Sequence, residues 1–218
     1  VPILIIGGYP FIILASLLGL LSLKELLDLE KKIPTFLKVC ACFFALFLIL
    51  YNYNDKTIDF LLNTKFFIFI GLFYFISIVL IGDLKKYNYK DAIYMIFSII
   101  FVGIIFNGLI IVRNISLYEI VYLFLIATLT DTFALFTGKY FGKHKLSIIS
   151  PSKTIEGSIG GSILGSAITT LIYAALTGFW HQFFIILGIT LLLSIFGQIG
   201  DLFFSSIKRS NEIKDFSN

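Results

Sequence analysis

Two acids in this chain stand where acids are expensive. Asp131, in ATLTDTFALFTGKYFGK, lies inside a long apolar run, and Asp201 closes another at GDLFFSSIKRS. At helical spacing Asp201, Ser205 and Lys208 or Arg209 fall at i, i+4 and i+7 or i+8, so one face presents acid, hydroxyl and base together. A carboxylate facing lipid costs at least a few kcal/mol, so each acid must face protein or a wet cavity. Plainer readings stay open: a helix end snorkelling its charges into water, or an acid satisfied by a neighbouring Thr or Lys.

The stretch between the two acids holds the densest run of basic residues, KYFGKHKLSIISPSKTIE, residues 139–156. It gathers Lys139, Lys143, His144, Lys145 and Lys153 with Ser150, Ser152 and Thr154. Lysine point charges, hydroxyls and free backbone amides are what hold phosphate. A surface loop that attracts lipid headgroups nonspecifically would read the same way. Ser152-Lys153-Thr154 resembles the end of a P-loop, but serine replaces the glycine before the lysine and no strand precedes it, which excludes that motif. His144, between two lysines, is a poor metal ligand. Carboxylates and lysines around one cavity suit a nucleoside triphosphate, with the acids holding a divalent metal and metal and lysines holding phosphate. Gly157, Gly160, Gly161 and Gly165 form a stripe of small residues, for which close helix packing is the simplest use.

The elements that must position these residues are membrane spans. Of 218 residues 58% are hydrophobic and only 14% charged, too apolar for a soluble domain to cover its surface. Uncharged runs mark Val1–Leu23, Val39–Asn54, Phe66–Gly82, Ala92–Val112, Leu117–Gly138, Gly157–Trp180 and Gln182–Gly200. Gly7-Gly8-Tyr9-Pro10 breaks the first, so Val1–Gly8 reads as the tail of one span and Pro10 to about Leu29 as the next. The expectation is an all-α polytopic membrane bundle of about eight spans, the first partial, in a single transmembrane domain. Alternating loops then place only Lys56, Lys65 and Arg113, of the 17 Lys and Arg, on one side. The positive-inside rule puts the other side, with the 139–156 loop and the C-terminal tail, in the cytoplasm. A net charge of +4 is too weak to argue for nucleic acid. Cys40 and Cys42 point in different directions on a helix and read as packing residues, not a disulfide or a metal pair. Asn52, Asn54, Asn107 and Asn114 read as interfacial polar residues at span ends.

Ser150-Pro151-x-Lys153-Thr154-x-Glu156-Gly157, preceded by Asp131 and by Phe141-Gly142-Lys143-His144-Lys145, resembles the bacterial phosphatidate cytidylyltransferase (CDP-diglyceride synthase) family. Gly200-Asp201-Leu202-Phe203-x-Ser205-x-x-Lys208-Arg209, followed by Lys214-Asp215, is similar to the start of that family's C-terminal signature. The resemblance covers essentially the whole chain. It implies transfer of CMP from CTP to phosphatidate, giving CDP-diacylglycerol and pyrophosphate, at the bacterial inner membrane with a site facing the cytoplasm. It further implies Mg²⁺ on Asp201, with a second cation allowed, and Asp131 shaping the same polar cavity. Lys153, Lys208 and Arg209 would bind triphosphate or lipid phosphate, and Ser205 and Thr154 would supply hydroxyls. Lys143, Lys145, Ser150, Glu156, Lys214 and Asp215 would complete the substrate-binding set. CTP, phosphatidate and the bilayer are the implied partners, with a homodimer as an allowed assembly. Phe204 departs from the family's usual polar residue, and the family's second metal-binding aspartate falls after Asn218. On that count the stretch given is expected to be a fragment cut at both ends and inactive alone. The rival classes are a polyprenol kinase or archaeal-type lipid cytidylyltransferase, a transporter, and a noncatalytic membrane scaffold.

Overall fold

The computed structural model describes residues 2–30, 32–51, 60–85 and 87–210. Asn52, Asn54, Lys56, Lys214 and Asp215, named above, lie outside the described residues. Helices α1 (Pro2–Ile6), α2 (Gly8–Asp28), α3 (Thr35–Leu50), α4 (Phe60–Ile81), α5 (Tyr89–Ile115), α6 (Leu117–Phe141), α7 (Ile155–Thr177) and α8 (Phe183–Ser210) follow in order, with a 3-10 turn at Trp180–Gln182. Five of them, α2 and α5 to α8, are long and apolar enough to cross a membrane; α3 and the Lys65–Ile81 part of α4 are shorter apolar helices. The polytopic helical bundle expected from the sequence is the fold observed.

The chain packs as two compact units, one reaching to Ile115 and the other beginning at Ser116. In the first, large side chains fill the centre: Leu23, Leu27, Ile49, Tyr74, Met95 and Ile99 are fully buried. Phe44 meets Phe66, Phe69, Phe73 and Tyr74 edge-on, with ring centroids 5.3 to 6.1 Å apart. Polar side chains brace the backbone between helices. The Tyr94 hydroxyl donates to Leu26 O at 2.7 Å, and Asn107 Nδ2 donates to Ile49 O and Tyr51 O at 2.9 and 2.6 Å. Asn107 is therefore no interfacial residue turned to water. It satisfies carbonyls at the C-terminal end of α3, which have no partner within their own helix.

The break expected near Pro10 falls at Gly7 and Gly8, with φ of 68° and 55°, a left-handed conformation that glycine adopts without steric cost. Helix α2 starts at Gly8, and Pro10 sits in its first turn, where a missing N–H is harmless. Arg113 closes the preceding end, donating to Leu4 O at 2.6 Å and Ile5 O at 2.8 Å.

The second unit is built the opposite way, from small residues. Helices α6 and α7 run antiparallel, with Gly138 facing Gly157, Ala134 facing Gly161 and Thr130 facing Gly165. A Cβ on Gly161 would lie 2.6 Å from that of Ala134, and one on Gly165 would lie 2.9 Å from the Thr130 backbone. The glycine stripe is a helix seam, as its spacing predicts. Helix α8 carries polar residues one turn apart, and these pair with the seam helices. Thr190 meets Tyr122 at 2.6 Å and Thr170 at 3.0 Å, and Ser194 accepts from Thr130 at 2.9 Å. Gln198 donates to Ser162 Oγ at 2.8 Å and Ser158 O at 3.1 Å, while its own carbonyl accepts from the Ser158 hydroxyl. At roughly 42 Å, α8 outruns the hydrocarbon core. It carries Asp201, Ser205 and Lys208 past Gly200, where its apolar run ends, in one unbroken helix.

Candidate functional site

At one end of the second unit, α6, α7 and α8 border a cavity of about 560 Å³. Helices α6 and α7 stay in contact here, a Cβ on Gly157 falling 3.0 Å from Gly138 Cα, and the cavity lies beside their seam. Asp131 enters from α6, Asp201 and Gln198 from α8, and Ser152, Lys153 and Thr154 from the loop between α6 and α7. Lys139, Leu135, Leu146 and Ser158 complete the main lining. The two intramembrane acids of the sequence thus face one cavity, as does Lys153.

Lys153 Nζ forms an ion pair with Asp201 Oδ2. Both side chains keep contact with solvent, about a third and a half exposed, so the pair is a local positioning contact and contributes little stability. Its effect is to hold opposite charges from the loop and from α8 across the cavity. Thr154 serves the helix: its hydroxyl accepts from Gly157 N at 3.1 Å as the N-cap of α7. The first-turn amides of α7 are thereby occupied: Ile155 N donates to His144 O at 2.9 Å and Gly157 N to Thr154 Oγ1.

Other residues expected in the site stand around it. Both carboxylate oxygens of Glu156 are engaged by the loop: Oε2 accepts from the amides of Lys143 (3.1 Å) and His144 (3.2 Å), and Oε1 lies 2.6 Å from His144 Nδ1. Lys143 and Lys145 are exposed on that loop, and Ser150 accepts the Lys153 amide through its carbonyl at 3.1 Å. Ser205, Lys208 and Arg209 continue α8 beyond Asp201 and do not line the cavity.

Gln198 and Ser158 are cavity residues that the sequence reading did not single out. The signal was an amide inside a membrane-length run, three residues before Asp201 and four after Ser194, on the face that later carries Ser205. Attention to charge alone passes it over. Among the described residues no three His, Cys, Asp or Glu side chains cluster as a metal site. The oxygen donors at hand are the carboxylates of Asp131 and Asp201 with the hydroxyls and amide around them.

Comparison with known proteins adds a second line. A family model described as the cytidylyltransferase family matches residues 1–218. The phosphatidate cytidylyltransferase of Staphylococcus haemolyticus (strain JCSC1435) is 36% identical over 215 residues, covering 98% of this chain and 82% of that protein. Its namesake from Staphylococcus aureus (strain COL) is 37% identical over the same shares. That of Staphylococcus saprophyticus is 33% identical, again over 98% of this chain.

Proposed function

The chain belongs to the cytidylyltransferase family, and from that premise we propose that it transfers CMP from CTP to phosphatidate, forming CDP-diacylglycerol and pyrophosphate. One observation carries the reading: Asp131, Lys153 and Asp201, drawn from three elements, converge on a single cavity at one end of a membrane bundle. A phosphate oxygen of phosphatidate attacks the α-phosphorus of CTP in line. One P–O bond forms, the bond to the bridging oxygen breaks, and pyrophosphate leaves with that electron pair. Such a reaction needs position and charge neutralisation more than covalent help.

Each residue has a task in this reading. Lys153, already beside the cavity's acid, meets the triphosphate as it enters. Asp131 and Asp201 with the surrounding oxygens fit a hard divalent cation, since Mg²⁺ takes one or two carboxylates and leaves the rest of its shell to water and phosphate. When bound, it would neutralise triphosphate charge. Lys208 and Arg209, further along α8, suit the departing pyrophosphate or the lipid phosphate. The excess of lysine on the loops of this side supports a cytoplasm-facing cavity in a bacterial inner membrane.

The test is direct. Protein in membranes, given phosphatidate and CTP labelled at the α-phosphorus, yields a lipid carrying labelled CMP, with pyrophosphate released in equal amount. Label that reaches lipid only from the γ-position marks a kinase and overturns the reading.

A further inference from the structure

The loop joining α6 to α7 is a braced hairpin. Glu156 ties its base through Lys143 and His144. Above it, Ile155 N donates to His144 O at 2.9 Å and Leu146 N donates to Lys153 O at 2.8 Å, around an antiparallel bridge between Lys145 and Thr154. Nearer the tip, Lys153 N reaches Ser150 O at 3.1 Å and Ile149 N reaches Ser147 Oγ at 3.1 Å. One wall of this hairpin, Leu146 with Ser152, Lys153 and Thr154, lines the cavity. Its tip is apolar and bare: Ile148 is 99% exposed and Ile149 39%.

An isoleucine with its whole surface in solvent, on a loop outside the helices and braced in place, has no folding role. It marks a surface that meets something apolar. The surroundings identify what. Tyr140 and Phe141, at the end of α6, are also exposed, and Lys139, Lys143 and Lys145 stand exposed beside them. Apolar tip, aromatic collar and lysines together complement a leaflet with acyl chains inside and anionic phosphate at its surface.

We propose that the Ile148–Ile149 tip inserts into the anionic leaflet and seats the hairpin as a guide, so that phosphatidate passes headgroup-first along its Leu146–Thr154 wall into the cavity. This rests on phosphatidate being the lipid substrate. The hairpin then has two faces with separate duties, one gripping the bilayer and one lining the site.

Trp180 is the chain's single tryptophan, so Ile148→Trp in a Trp180→Phe background reports on the tip alone. In vesicles of phosphatidylcholine and phosphatidate its emission shifts to the blue, and lipids brominated near the glycerol end of their chains quench it. Emission typical of water, or a blue shift that brominated lipid leaves unquenched, overturns the insertion; the latter would mark a protein partner. Ile148→Asp, at a fully exposed position that folding does not depend on, raises the apparent KM for phosphatidate in vesicles ~5-fold or more and leaves kcat and the KM for CTP unchanged. An unchanged lipid KM overturns the guide. If the unsubstituted protein makes no CMP-lipid, the catalytic reading fails, while quenching still decides insertion.

Discussion

The two units use polar groups for opposite purposes. In the first, Tyr94, Asn107 and Arg113 donate to backbone carbonyls of neighbouring helices, around a centre filled by leucine, isoleucine, tyrosine and methionine. In the second, side chain meets side chain: Thr190 with Tyr122, Ser194 with Thr130, Gln198 with Ser162. Large side chains fill the space between helices in the first, and a groove on that unit is lined by Phe43, Leu46, Phe47, Leu50 and Tyr51, with no charged group. Small residues let α6 and α7 close on each other from Gly165 to Gly138, and beside that seam lies a cavity with polar walls. The first unit is built as scaffold, the second as site.

Substitutions can break that contrast. The largest effect belongs to Asp201→Asn, which keeps the side chain's shape and removes its charge. CMP-lipid formation falls by about 10²-fold or more with the thermal unfolding of the detergent-solubilised protein nearly unchanged, and normal turnover would move the chemistry elsewhere. Next comes a matched pair. Gly161→Ala drives a methyl against Ala134 and the Thr130 carbonyl, costing about 1–3 kcal/mol of unfolding free energy and distorting the cavity. Gly19→Ala in the first unit meets first the end methyl of Ile49, which a side-chain rotation can move, so its cost is smaller and turnover persists. Equal losses in the two would erase the distinction between a rigid seam and a yielding core. Smallest is Tyr94→Phe, which removes one brace for about 1 kcal/mol and changes neither KM.

Much of this was legible in the sequence, and the gaps have a physical cause. Hydropathy exposed the spans because lipid demands long apolar runs, and Asp131 and Asp201 stood out because charge in such runs is rare. The glycine stripe announced its seam by spacing alone. The hydroxyls of α8 did not stand out: a Thr or Ser among leucines is unremarkable until its partner on another helix is known. Glu156 shows the same limit. The family resemblance put it in the substrate-binding set, and in the fold both its oxygens are engaged by the loop. Helix ends shifted where capping overruled hydropathy. Thr154 starts α7 two residues before the apolar run expected at Gly157, and Gly178, in the left-handed region at φ 78°, stops it short of Trp180.

The polar stripe on α8 bears on how the protein is made. Alone in lipid, α8 would turn Thr190, Ser194 and Gln198 toward hydrocarbon, a burden on its release from the insertion machinery. Synthesis proceeds from the N-terminus, so α6 and α7 are in place when α8 emerges, and their hydroxyls are the partners it lacks. The order of helices along the chain lets the last of the three arrive where its polar groups are already matched.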